Sequence, residues 1–260
     1  MGISHSTAKW LAPTSWLLNF AAQQYGIFST PSMKDINDRN VSFWSPQPFF
    51  IAGFFFPQQI FQVAWLYRLI KSDSNKPSER TDTNTLVDYA PYFSLGNLCI
   101  AAWMVFWNSE QLKVSNIFVI INSLSQLYYT FNKLEPMDTR STTSILTHVV
   151  AKTFAGIGVL DLVHNGSVAY FKDAPATMTV KVLTALGFGA AAVAGDWIFG
   201  GCVVYDLVAI AVGQSGSWRN LVAAYAVGAA GIVAAKNIAR PPYVQGGYKP
   251  TATEEIQDRV

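Results

Sequence analysis

Charge is scarce in this chain. About 13% of its 260 residues are charged, roughly half the usual share of a soluble domain. Most of those charges fall between apolar stretches that recur from near Ala8 to near Ala235. A water-soluble globular fold is excluded on that ground. The net charge is only +2, so no basic surface for nucleic acid is indicated. The two cysteines, Cys99 and Cys202, both lie inside apolar stretches, which argues against a disulfide framework and for thiols acting as small apolar side chains. No nucleophile elbow, His-rich metal box or phosphate loop is present. A non-enzymatic protein without a metal site is the expectation. A retinal-type lysine deep in the last apolar segment is also missing, since Lys236 stands at that segment's end.

What the chain has in quantity is membrane-length hydrophobic sequence. A helix rises about 1.5 Å per residue and the hydrocarbon core is about 30 Å thick, so about 20 residues make one crossing. Candidate crossings fall at 8–27, 46–70, 88–108, 112–133, 144–171, 178–194, 197–213 and 218–237. The fold class expected is an all-α polytopic membrane bundle of about eight (seven to eight) helices. The first crossing is polar and carries Pro13. Residues 178–213 would make one helix about 54 Å long, and Gly195-Asp196 offers a turn near the middle. Eight spans place eleven Lys and Arg on the side of both termini and six on the other; seven spans would give eight against nine. Cytoplasmic loops are enriched in these residues, so eight spans with both termini cytoplasmic fit better. The segment 71–86 reads as a solvated linker.

Several side chains could carry function. Small residues recur at Gly187, Ala191 and Gly195, and two readings stand for them, tight packing within the bundle or a homodimer seam. Ser115, Asn122, Gln126 and Lys133 keep to one helix face, either for interhelical hydrogen bonds or as the polar wall of a cavity. Trp10, Trp44, Trp107 and Trp218 sit at span ends, where an interfacial belt is common. Trp65 and Trp103 lie deeper, and Trp103 shares a face with Trp107. An aromatic-lined pocket is the alternative for the set. The fifth span holds His148 and Lys152 on one face, and Asp161, His164 and Asn165 on the opposite one. Ionisable groups inside a bilayer cost roughly 3 kcal/mol and usually face protein or water. They form either a proton-coupled or anion-binding locus, or a structural set in which Lys152 snorkels and Asp161 caps a neighbour. Asp206 is a further buried acid that could pair with Lys152 or His164.

The second span opens Phe43-Trp44-Ser45-Pro46-Gln47-Pro48-Phe49-Phe50 and runs through Phe54-Phe55-Phe56-Pro57 to Trp65. Pro46 and Pro48 mark a helix start, and Pro57 falls inside the helix. The order Trp-x-Pro-x-Pro, a Phe-rich turn, then a tryptophan near the helix end resembles the second helix of the tryptophan-rich sensory protein family, the TspO/MBR or translocator-protein family. Pro91, Asn97, Ala102-Trp103 and Trp107 continue the likeness, followed by an Asn/Gln-bearing helix. The layout is similar to longer TspO-like membrane proteins of fungi and bacteria that carry extra C-terminal helices. The resemblance covers about residues 8–172. Two departures stand out. The family's Pro-Val-Trp element is replaced by Phe56-Pro57-Gln58-Gln59, and eight spans exceed the family's five.

The resemblance implies a tetrapyrrole or sterol bound in a helix-bundle pocket. The expected organisation is a single transmembrane domain over 1–240, with a TspO-like part over 1–172 and Gly/Ala-rich additional helices over 178–237. Residues 241–260 are expected to form a disordered cytoplasmic tail. The leading functional expectation is binding or transport of a small hydrophobic or amphipathic ligand between the second and fifth spans. Trp44, Pro46, Pro48, Trp65, Asn97, Trp103, Trp107 and Gln126 are its expected site, with Asn97, Gln126 and Asp161 at the ligand's polar end. A proton- or ion-coupled transporter using Asp161, His164 and Asp206 is one alternative. A structural or assembly subunit is the other.

Overall fold

The structure, a computed structural model, describes residues 2–239. The expected C-terminal tail lies outside the described residues. Among the described residues the chain forms α1 (His5–Phe28), α2 (Met33–Arg39), α3 (Pro48–Lys71), α4 (Arg80–Asn108), α5 (Leu112–Asn132), α6 (Thr142–Tyr170), α7 (Met178–Ala194), α8 (Trp197–Gly213) and α9 (Gly216–Ala239), with one 3-10 turn at Pro77–Glu79 and no strand. Each expected crossing is a helix. The chain is a multi-pass helical membrane protein.

Length and composition alone qualify α3, α4 with its preceding turn, α6 and α9 as membrane-crossing. α7 and α8 are apolar but have 17 residues each, about 25 Å of rise. α1 and α5 are long enough and lose hydropathy to amides, several of which are turned inward and paired. The Asn19 amide donates to Asn97 Oδ1 at 2.8 Å and the Gln126 amide to the Tyr92 carbonyl at 2.8 Å. That arrangement follows from lipid offering no hydrogen bonds. Phe56, Ile60, Tyr67, Leu186 and Val227 face outward, as a bilayer-facing surface requires.

Chain reversals sort the helix ends into two layers. In one, the start of α1 meets the end of α3 through His5 and Lys9 on Ser72, and Arg68, Asp82 and Ser141 join α3, α4 and the start of α6. In the other, α2 lies with the end of α1 and the start of α3, where Asn108 donates to Ser29 at 2.6 Å. α6 belongs to both cores. On one side it packs with Trp65, Tyr89, Phe93 and Tyr129. On the other, Ile157 and Leu160 pack with Phe199, Val203, Leu207 and Val222 of α8 and α9. At Gly156 a Cβ would stand 2.3 Å from Cys202 Cβ, so glycine sets the α6–α8 approach.

Residues 178–213 break as expected. Asp196 accepts from the Ile198 and Phe199 N–H groups at 3.1 and 3.0 Å and so caps α8. Its other oxygen meets Lys152 in a nearly buried ion pair. The short α7–α8 hairpin ends at the depth of Lys152, so the turn residue supplies that lysine's counter-charge. Asp206, which the sequence offered as a partner for Lys152 or His164, pairs with neither.

Three readings need correction. The segment 71–86 is mostly helical, because Thr83 and Leu86 are buried and Asp82 is held by Ser141; its charges are the wet face of a helix. The packed stripe on α7 is Thr184, Phe188 and Ala192, while a Cβ at Gly187 would meet nothing within 4 Å. Of the small residues, Gly195 packs against Gly200 and Phe199 and Ala191 against the core, while Gly187 stands open. The segment before α3 contains α2, which no apolar periodicity announced.

Candidate functional site

α3 packs unevenly along its length. All its buried residues, Gln58, Gln62, Trp65, Leu66 and Leu69, lie from Gln58 onward. Its first half stands away from α4, and the reason is a set of tethers on the preceding loop. Trp44 Nε1 donates to Thr184 Oγ1 at 2.8 Å, and the Gln47 N–H donates to the Ala209 carbonyl at 2.9 Å. Gln214 donates to the Ser42 and Ser45 carbonyls, and Trp218 Nε1 to the Phe43 carbonyl at 2.7 Å. A Cβ at Gly213 would lie 2.5 Å from the Pro46 carbonyl carbon and the Ser45 oxygen, so only glycine admits this approach. The loop is bound to α7, α8 and α9, and α3 starts from there.

The space left beneath α3 is a cavity of about 360 Å³ at the α2 end of the bundle, within the range of small-molecule sites. Pro48, Phe49 and Phe55 form its α3 wall, and Trp103 and Trp107 its α4 wall. Phe118, Val119 and Asn122 of α5 contribute a third side, and Asp161, His164 and Asn165 of α6 the floor. Gln23 and Ile27 of α1 and Met33, Lys34 and Asn37 of α2 close the rest.

The aromatic wall is fixed by hydrogen bonds at both indoles. Trp103 Nε1 donates to Asn165 Oδ1 at 2.8 Å, and Asn165 Nδ2 donates to the Asp161 carbonyl at 2.9 Å. Trp107 Nε1 donates to the Met33 carbonyl at 3.2 Å, which ties α2 to α4. The two rings stand 5.5 Å apart, and His164 lies 6.0 Å from Trp107. At the mouth, Ser32 and Asp35 form a reciprocal capping box on α2. Hydrogen bonds from the Ser32 N–H and hydroxyl hold the Asp35 carboxyl below its ordinary value. Lys34 is bonded to Asp38, which holds its ammonium above the usual value.

Among the expected site residues, Pro48, Trp103, Trp107, Asp161 and His164 converge on the cavity. Trp44 and Pro46 belong to the tethered loop. Trp65 is fully buried near the opposite end, donating to Thr147 Oγ1 at 3.0 Å. Asn97 and Gln126 are spent on Asn19, Tyr89 and Tyr92, so they do not anchor a ligand's polar end. Lys152 is paired with Asp196. Asp206 lies in the α8 core with both carboxylate oxygens buried and unpartnered. Asp161 and His164 form no hydrogen bond with each other, and His164 Nδ1 has no partner. Of the tryptophans placed at span ends, Trp10 is largely exposed as a belt residue would be. Trp44, Trp107 and Trp218 give their N–H groups to protein acceptors instead.

The α2 contribution was missed. Its signal was Ser32-x-x-Asp35, a helix-start pattern with an acid in the place usually held by Glu or Gln. Phe55 was marked only as part of the Phe-rich turn, and Phe118 carried no signal beyond composition.

No curated protein and no solved structure matches the chain. A family model described as TSPO-like protein matches residues 9–238, running through α7–α9 as well as the six helices before them. With that match spanning nearly all of the described bundle, the chain belongs to the TSPO-like protein family.

Proposed function

We propose that this protein binds a small amphipathic ligand, of tetrapyrrole or sterol type, in the cavity beneath the first half of α3, without catalysing a reaction. The observation that carries this reading is the convergence of rigidly held aromatic faces and a few polar groups on one membrane-embedded cavity. Trp103, Trp107, Phe49 and Phe55 would pack the apolar body. Asp161, His164 and Asn122 would meet the polar end. The positive-inside balance puts the cavity at the non-cytoplasmic face, opposite both termini.

Titration of the protein in lipid nanodiscs with protoporphyrin, haem and a sterol tests this. At least one should bind saturably, and Trp103→Ala should weaken it about tenfold or more, a loss of at least 1.4 kcal/mol. Saturable binding that Trp103→Ala leaves unchanged would place the ligand elsewhere. No saturable binding of any of the three would refute the proposed ligand class.

A further inference from the structure

The polar atoms of the cavity are unevenly used, and the imbalance has a chemical sign. Lys34 and Asp161 are the lining residues with a full formal charge. Lys34 stands at the mouth and already has its partner in Asp38. Asp161 has none: its side chain makes no hydrogen bond and no ion pair among the described residues, while its main-chain carbonyl is occupied by Asn165. Unlike Asp206, whose oxygens are both sealed in the core, Asp161 is only partly buried and lines the cavity. On the neighbouring lining residues, Asn122 Oδ1 and His164 Nδ1 are sealed and unpartnered. The Asn122 amide brings no charge, and the indole donors of the aromatic wall are committed, Trp103 Nε1 to Asn165 and Trp107 Nε1 to Met33.

Such a lining is short of positive charge to set beside Asp161. A carboxylate in a membrane interior is costly unless an opposite charge stands beside it. Aromatic faces beside it add attraction for a cation, and indole faces are the best of these. Trp103 and Trp107 present such rings on the adjoining wall. A ligand headed by a carboxylate would set like charge against Asp161, with Lys34 already engaged.

We propose that the ligand of this cavity is an amine-bearing amphiphile, a protonated amine on an apolar body, with its ammonium on the Asp161 carboxylate and its body between the α3 and α4 aromatic walls. This rests on the reading of the cavity as the ligand site. It departs from that reading's tetrapyrrole and sterol examples in committing to the charge of the polar head.

The test uses the full chain in nanodiscs of zwitterionic lipid. Three probes share one pyrene body and differ only in the head: pyrenemethylamine, pyrenemethanol and pyrenecarboxylate. Energy transfer from protein tryptophan to pyrene reports binding, after subtraction of empty nanodiscs. The amine should bind about tenfold tighter than the alcohol, with the carboxylate weakest. Asp161→Asn should bring the amine down to the alcohol's affinity while leaving the alcohol unchanged, and Asp161→Glu should keep the amine preference. Equal binding of amine and alcohol to the wild-type protein overturns the proposal and leaves the cavity standing as the site; that comparison needs no variant. An amine preference that survives Asp161→Asn also overturns it. Failure of all three probes to bind above empty nanodiscs, or binding indifferent to Trp103→Ala, overturns the proposal together with the ligand-site reading beneath it.

Discussion

The two halves of α3 belong to one continuous helix and do opposite things. The second half is sealed. Trp65 stacks on Phe93 at 4.7 Å, meets Tyr89 edge-on at 5.4 Å and gives its N–H to Thr147. The first half, with comparable aromatic content, buries only Gln58 at its very end and roofs a cavity. The difference is not in hydrophobicity. It lies in what holds each half: the second packs against its neighbours α4 and α6, whereas the first is bound through residues 42–47 to helices far along the chain. In a bilayer, apolar side chains gain little by choosing protein over lipid. Geometry imposed by hydrogen bonds and close backbone contacts then decides where a bundle closes and where it stays hollow.

The strongest way to sharpen this contrast is Trp65→Ala. Removing a fully buried indole from a packed core should cost about 3–5 kcal/mol and leave the Thr147 hydroxyl without its donor. We expect a large fall in thermal stability in nanodiscs. Ligand affinity of the protein that remains folded should change by less than about twofold, because Trp65 lies about 26 Å from Pro48 along α3. A large affinity loss with little destabilisation would mean that the halves are not independent.

A smaller effect should come from Gly213→Ala, which touches no lining residue. The new methyl would meet the backbone of Ser45, Pro46 and Gln47 at about 2.5 Å, and backbone cannot swing aside as a side chain can. Overpacking of this kind costs about 1–3 kcal/mol. The α2–α3 loop must move, and the α3 wall with it. Affinity should fall severalfold with the lining chemistry intact. Unchanged affinity would show that tethering to α8 does not set the cavity's shape.

Most of the helices were legible because their signals are one-dimensional. Apolar length gave the spans, and Gly195-Asp196 gave the α7–α8 turn. The period of Ser115, Asn122, Gln126 and Lys133 turned that face inward, and the first three are buried while Lys133, past the end of α5, is exposed. The site was only half legible. Helical periodicity says which face a residue occupies and not which neighbour lies at that depth. Trp65 and Trp103 both read as deep tryptophans, yet one is locked in a core and the other lines a cavity. Asn97 and Gln126 looked available because their partners Asn19, Tyr89 and Tyr92 are far apart in sequence. Lys152 found its counter-charge in a turn acid, a pairing set by how short α7 and α8 are. The cavity itself arises from the contacts of residues 42–47 with α6–α9, and such long-range pairings leave no pattern within either segment.

The smallest effect should come from Ser32→Ala at the mouth. In the folded protein the Ser32 N–H and hydroxyl bond the Asp35 carboxylate at 2.8 and 2.7 Å, and Asp35 returns its own N–H to the Ser32 hydroxyl. These bonds favour the ionised acid, so its folded value lies below the ordinary 3.8. The sign follows: a lowered carboxyl contributes its support above its unfolded value, and that support is lost as pH falls through the folded value. The wild-type capping box should therefore hold at pH 4 and open in stronger acid. Ser32→Ala removes the hydroxyl's bonds in both directions, so opening should begin at higher pH. Amide exchange at Ser32 and Ile36, followed from pH 6 to pH 3, reads this directly. Because α2 is also held by Trp107 on Met33 and by Arg39 on Glu110 at 2.9 Å, affinity at neutral pH should change by less than about twofold. If Ser32→Ala instead weakens the ligand as much as Gly213→Ala, the hollow half of α3 is governed from its mouth, and the primacy given to the α8 tether is wrong.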